Sequence, residues 1–535
     1  MYPRKLSKSV ISNPDFPVVE TTKGKLRGLL EDDVFIFRGV QYAKAKRFQM
    51  PQEVDAWEET REAIVFGPVC PEMHTPIAHD QYNVPHYHYV QDEECHYLNI
   101  WTKHIDASAK KPVMFWIHGG GYFSGSSIEL YAYDGYELCD FGDVVVVSVN
   151  HRLNCIGYLD LSAYGDEYKY TGNLGQVDLV AALRWVHENI EAFGGDPDNV
   201  TIMGQSGGGG KVSALLQTPS AMGLFHKAVI QSGLFEGSGD STKERSNELA
   251  AMVVKELGLE ENIKEIERIP YYVLARAAQK ANEKMNEKYG FGLHMCPVKD
   301  EDFYMGTGEE NPFIFENRHI PVLVGSVLGE FDQNYNQIYA EGSKNDWDDE
   351  KVWDLLNKAF DDKAKAVVEA EQKAYPKSKI VDSLYINRGC RIPSRDFCFK
   401  RHEEGCAPAY NWLFNLECPL NGGTIAWHNV EEAYMFHNAC YLEASYIPGV
   451  SEELQDIMTG AWVNFAYYGD PNHNGMPKWT PSTKENGVCM IFDRVTREEY
   501  YHDRELMDIL PQKAIAAKND RKPVSTFGGG PRQSL

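Results

Sequence analysis

The sequence predicts an α/β protein, and three observations carry that expectation. First, apolar runs recur without polar alternation: "PVMFWIH" (Pro112–His118), "VVVVSVN" (Val144–Asn150), "VTIM" (Val200–Met203), "KAVIQSG" (Lys227–Gly233), "PVLVGS" (Pro321–Ser326) and "AYNWLF" (Ala409–Phe414). Continuous apolarity marks strands buried on both faces, as in a parallel sheet covered by helices. Second, helical periodicity lies between the runs. In Gly175–Phe193, Val177, Val180, Leu183, Trp185 and Ile190 share one broad face. Third, "VTIMGQSGGGGKVSALL" (Val200–Leu216) reads as strand, glycine turn and helix in immediate succession. Alternation of this kind predicts a large, mostly parallel central sheet flanked by helices.

The third stretch also carries chemistry. Gly204-Gln205-Ser206-Gly207-Gly208 fits G-x-S-x-G. A strand-to-helix turn this tight strains the serine, and its neighbours must be nearly free of side chains. The turn would expose Ser206 Oγ and aim the first N–H groups of the helix at whatever that oxygen attacks. A glycine turn after a strand also suits phosphate, but the Walker pattern needs Ser or Thr after its lysine, and Val212 follows Lys211. The dinucleotide pattern fits only out of register.

Bulk properties narrow the partners. The chain has 535 residues, 43% of them hydrophobic, enough for a large core, and no linker, repeat or low-complexity block divides it. One domain over 1–535 is therefore expected. Residues from about 241 to 310 begin with charged amphipathic helix, without a strand candidate as far as Asn286, and read as an excursion covering the site. A net charge of -25 argues against nucleic acid and anionic membrane surfaces. The first twenty residues lack the apolar core of a signal peptide, and no later run is long enough to span a bilayer. Eleven cysteines without C-x-x-C spacing indicate neither zinc nor a disulfide framework. A cytoplasmic protein is expected, with a secreted form as the alternative if a leader was removed.

The residues before the turn widen the pattern. "FGGDPDNVTIMGQSGG" (Phe193–Gly208) resembles the active-site signature of type-B carboxylesterases, the cholinesterase-like branch of the α/β-hydrolases. Further segments similar to that family stand in order from Gly24 to Asn472: "GKLRGLL", "FRGVQYA", "EECHYLNIW", "HGGGYFSGS", "VNHRLNCIGYL", "TGNLGQVDLVAALRWV" and "WVNFAYYGDPN". The resemblance implies an α/β-hydrolase fold and a serine carboxylic-ester hydrolase acting on small-molecule esters. Neither metal nor organic cofactor is required by that chemistry. The same resemblance leaves open a lactone or amide hydrolase with the same machinery, or a non-catalytic binding domain of cholinesterase type.

Roles follow from the resemblance residue by residue. Ser206 is the nucleophile, and the oxyanion donors are the N–H groups of Gly120, Gly121 and Gly207. "AWHNVEEAYMF" selects His428 as base, and Glu330 in "SVLGEFDQN" aligns with the family's acid. Its flanks depart from the family's pattern, which leaves Asp332 as a rival. Gln205 stands where a glutamate is usual, while Ser232 and Glu431 match residues that support the family's triad or, equally, satisfied core polar groups. Cys70 and Cys95 occupy positions that form a disulfide in secreted relatives and would stay thiols in a reducing compartment. Between them, the His/Tyr-rich residues 74–89 suggest an entrance segment contributing His86, Tyr87 or Tyr89, with no ligand set for a metal.

Overall fold

The computed structural model describes residues 9–73, 87–236, 241–290, 294–300, 302–331 and 343–511. These fall into two compact units, one drawn from residues up to 230 and from 241 to 320, the other from 231–236 and from 321 onward.

In the first unit the strands, in chain order, are β1 (Val10–Ile11), β2 (Val18–Glu20), β3 (Lys25–Arg27), β4 (Leu29–Glu31), β5 (Val34–Gln41), β6 (Arg61–Glu62), β7 (Tyr97–Thr102), β8 (Lys111–Ile117), β9 (Val145–Val149), β10 (Gly195–Gln205) and β11 (Lys227–Gln231). The main sheet runs β1-β4-β5-β7-β9-β8-β10-β11, and β2-β3-β6 form a small sheet. The parallel pairs β8–β9 and β8–β10 are the continuous apolar runs of the sequence. Around them the pairs β4–β5, β5–β7 and β7–β9 are antiparallel. For β4–β5 the local reason is the hairpin at Asp32-Asp33, where two residues join the strands and Asp32 takes a positive φ of 51°.

Register positions the chemistry. Trp116 lies opposite Met203, and Ile117 opposite Gly204. The chain therefore leaves β8 at His118 and β10 at Ser206 beside each other, at the carboxyl ends of parallel strands, where α/β sheets place their sites. The helix Leu174–Asn189 buries Val180, Leu183 and Val186 and continues as a 3-10 turn to Phe193 before Gly194 stops it with a φ of 73°. Helices Lys243–Leu257 and Tyr271–Tyr289 occupy the stretch read from sequence as an excursion. Their apolar faces (Leu249, Val253, Val254, Leu274, Ala278, Met285) cover Leu153–Leu161, which follow β9.

In the second unit β12 (Val322–Val327), β13 (Ala409–Phe414), β14 (Val488–Phe492) and β15 (Arg497–Tyr500) lie side by side in chain order. The first three are parallel and β15 is antiparallel. Gly325 faces Trp412, whose indole fills the space a side chain on Gly325 would need. Among the described residues no helix is long and apolar enough to cross a membrane.

Candidate active site

In the first unit the turn after β10 has the strain its sequence demands. Ser206 sits at φ 56° and ψ −126°, half-buried, immediately before the helix Gly207–Leu215. A non-glycine residue in this region costs about 1–3 kcal/mol, and such strain persists only where the surroundings over-determine it. Here they do. A Cβ on Gly207 would collide with the Gly121 carbonyl, and one on Gly208 with the Ile117 carbonyl. Four glycines open the helix at roughly 1 kcal/mol each relative to alanine, so backbone contact rather than propensity selects them.

The opposing loop is glycine for the same reason. Gly120 and Gly121 take φ values of 83° and 62°, and a Cβ on Gly119 would stand 3.3 Å from Ser206 Cβ. The loop's carbonyls are tied down. Gly120 O accepts from the N–H groups of Phe123 and Ser124 at 3.2 and 3.1 Å, and Gly119 O contacts His118 Nδ1 at 2.9 Å. Burial, then the charge of Lys211, hold the His118 ring well below the usual imidazole range, so it is neutral and donates from Nδ1. Among the described residues the N–H groups of Gly120, Gly121 and Gly207 have no acceptor within the protein. Two adjacent backbone segments thus present donors beside Ser206, the arrangement an oxyanion requires. Buried Gln205 lies with its side chain 3.3 Å from the space beside Gly119.

The second unit holds an imidazole–carboxylate pair. Glu330, just beyond β12, is fully buried at φ 47°, and its Oε2 contacts His428 Nδ1. Its Oε1 accepts from Ser232 Oγ at 2.8 Å and from the Val327 N–H at 3.0 Å. The His428 N–H returns to Glu330 O at 2.9 Å, so backbone and side chain fix the ring together. The Phe331 ring lies 3.9 Å from the imidazole, and Phe235 stacks at 6.1 Å on Phe331. A carboxylate on Nδ1 sets the tautomer that leaves Nε2 as the basic nitrogen.

Ser232, selected from sequence, therefore touches the acid directly. Glu431 does not. Its Oε1 accepts from Gln231 Nε2 at 3.3 Å, and its Oε2 has no hydrogen-bond partner among the described residues. Burial, then the charge of Glu330, push its carboxyl up to about 7. Gln231 in turn accepts from the Trp462 indole at 3.3 Å. Gln231, Phe331 and the Val327 N–H carry no motif, and sequence reasoning missed them. So too with Lys211, whose signal was present: a lysine one turn into a helix whose neighbours are otherwise glycine or apolar.

Asp332 and His86 lie outside the described residues. Tyr87 and Tyr89 are partly exposed, Tyr87 against the Tyr131 ring at 4.4 Å and Tyr89 donating to Phe66 O at 3.1 Å. Cys70 and Cys95 are buried thiols, and burial followed by a hydrogen bond with Cys70 raises Cys95 well above the ordinary thiol range. Among the described residues no three His, Cys, Asp or Glu side chains are grouped to hold a metal ion.

Comparison with known proteins agrees with this chemistry. The model of the carboxylesterase family matches residues 15–506. The chain is 29% identical to the para-nitrobenzyl esterase of Bacillus subtilis (strain 168), over 93% of this chain and 99% of that protein. It is 31% identical to the phenmedipham hydrolase of Pseudarthrobacter oxydans, over 89% and 94%. Among solved structures, an esterase of anaerobic Clostridium hathewayi described as able to hydrolyse aliphatic aromatic polyesters superposes with a TM-score of 0.87 at 43% identity, covering 94% of this chain and 99% of that one. A strained serine between two glycine segments, a buried Glu–His pair and a family match over nearly the whole length converge: the chain belongs to the carboxylesterase family, has the α/β-hydrolase fold, and is a carboxylic-ester hydrolase.

Proposed function

We propose that Ser206 is the nucleophile, His428 its general base and Glu330 the carboxylate that orients the base. Ser206 Oγ attacks the ester carbonyl while His428 Nε2 takes the hydroxyl proton. The carbonyl oxygen, now anionic, accepts from the N–H groups of Gly120, Gly121 and Gly207. Collapse of the tetrahedral species breaks the bond to the alkoxy oxygen, which leaves with the proton from His428. Water, deprotonated by the same ring, attacks the acyl-enzyme and releases the acid. Glu330, held by the Ser232 hydroxyl and the Val327 N–H, keeps the ring oriented and stabilises the imidazolium.

The observation that carries this is Ser206 itself. Its backbone strain at φ 56° has no structural use that an unstrained turn would lack, and unpartnered N–H groups flank it. The names of the relatives, together with Phe331 and Phe235 beside His428, support esters carrying an aromatic acyl or alcohol group as substrates. The unbroken family match supports one hydrolase domain. Eleven free cysteines support a reducing, cytoplasmic setting. A fluorophosphonate probe should label Ser206 alone and abolish hydrolysis in proportion to labelling; an adduct elsewhere, or none on active protein, refutes the assignment. A panel of p-nitrophenyl and p-nitrobenzyl esters, aromatic polyester oligomers, lactones and amides then ranks substrates. Higher kcat/KM for a lactone or amide than for every ester would move the activity class.

A further inference from the structure

Lys211 lies one turn into Gly207–Leu215, the helix that follows the Ser206 turn (the elbow helix), and is completely buried. Among the described residues no carboxylate stands within ion-pair distance of it. Among the described residues the one hydrogen bond of its side chain runs from Nζ to the carbonyl of His118 at 3.3 Å. That carbonyl is the last before the glycine loop. Taken with the bond from His118 Nδ1 to Gly119 O and those to Gly120 O, it completes a set: each carbonyl from His118 to Gly120 has a donor. A loop of three glycines has many accessible backbone states, and tethering successive carbonyls removes them. A buried amine without a counter-ion is expensive, and an apolar side chain would fill the same space without that penalty. A structural role alone does not account for a lysine here.

We infer that Lys211 is a positioning residue for ester hydrolysis: by donating to the His118 carbonyl from the buried face of the elbow helix, it fixes the loop that aims the Gly120 and Gly121 N–H groups at the acyl oxygen. This rests on the Ser206 assignment above. The groups facing Lys211 are His118 and Tyr122 from the loop after β8, His151 from the segment after β9, Glu129, and Cys70. The Tyr122 ring centroid is 5.6 Å from Nζ, and the His118 and His151 rings are 4.9 Å apart. Both imidazoles are held neutral, chiefly by burial. Burial lowers Lys211 to about 7, against the opposing pull of Glu129 and Cys70. Below that pH the tether is a charge-assisted hydrogen bond, roughly twice as strong as the neutral one that replaces it above.

The test compares wild type with Lys211→Met and Lys211→Gln. Lys211→Met should lose about 10–100-fold in kcat with KM within about threefold, since only the transition state needs the aimed donors. Affinity for a trifluoromethyl ketone, whose adduct carries the oxyanion, should fall in step with kcat/KM. The wild-type kcat/KM profile should decline between pH 7 and 9, and Lys211→Met should lack that decline. Lys211→Gln, a shorter neutral donor, should retain more kcat than Lys211→Met and likewise show no decline; it carries the test if the methionine variant does not fold. A variant that folds, takes the phosphonate at Ser206 and keeps kcat within twofold overturns the inference alone. A variant that keeps the wild-type descending limb does the same. Failure of the wild-type protein to take the phosphonate at Ser206 overturns the Ser206 assignment instead.

Discussion

The carboxylate beside His428 carries two tasks at once. One oxygen of Glu330 faces the imidazole, while the other is pinned by Ser232 Oγ and the Val327 N–H. Rotation of the carboxyl group would break at least two of these contacts, so the imidazole is oriented by a group that is itself immobile. Replacing Glu330 with glutamine keeps the shape but presents an amide N–H where an acceptor is needed, which favours the wrong tautomer. The corresponding amide replacement in a serine-protease triad costs about 10⁴ in kcat. Glu330→Gln should therefore lose on the order of 10³ or more in kcat, and its unfolding midpoint should stay near wild type. Asp332→Asn should lose less than about tenfold. The reverse order at equal stability would make Asp332 the acid. Sequence alone left this choice open because the flanks of Glu330 depart from the family pattern, and the hydrogen bonds that hold it come from a backbone N–H and from a serine almost a hundred residues away.

At the scale of elements, the site is two glycine segments forced together by strand register. Ile117 opposite Gly204 brings the ends of β8 and β10 level, and the Gly121 carbonyl then occupies the space of any Gly207 side chain. Gly207→Ala should push the loop off the elbow and lose roughly 10²-fold in kcat, the worth of one misplaced oxyanion donor. The loss should appear in kcat rather than KM, and the fluorophosphonate should label the variant more slowly than wild type. Unchanged labelling and kcat would mean that the loop yields without consequence. The strands that set this register were legible, because runs such as "VVVVSVN" are apolar on both faces. Other strands were not. β5 is broken by a bulge between Phe37 and Val40, β14 is only five residues long, and β15 is largely polar. The proposed nucleophile Ser206 and the proposed base His428 were picked out by motifs, since a tight glycine turn constrains its neighbours on the chain. Lys211, Gln231 and Phe331 are placed by packing, which leaves no fixed spacing to read.

At the scale of the whole molecule, each compact unit contains a buried arginine–carboxylate pair. In the first, Arg152 Nε and Nη2 donate to the two oxygens of Asp178 at 2.8 and 2.7 Å, with His96 3.2 Å away. In the second, Arg391 Nε and Nη2 reach Asp503 at 2.7 and 3.2 Å, and Tyr375 Oη adds a third donor. Burial alone would raise both carboxyls. The facing arginines, helped by His96 in one case and His502 in the other, outweigh it and hold both well below the usual carboxylate range. A carboxyl lowered in the folded state contributes stability that is fully present above its unfolded pKa, about 3.9, and is lost as pH falls through the folded value. Asp178→Asn leaves a buried guanidinium facing a neutral amide, which should destabilise the first unit by about 3–5 kcal/mol at pH 7. Asp503→Asn should do the same in the second. In urea titrations the gap between wild type and either variant should be constant from pH 7 to 5. It should then narrow below about pH 4, because only the wild-type carboxylate has a proton to gain there. A gap that stays constant down to pH 2.5 would show that the variants suffer from lost packing rather than lost charge, and that the buried pairs do not govern acid unfolding.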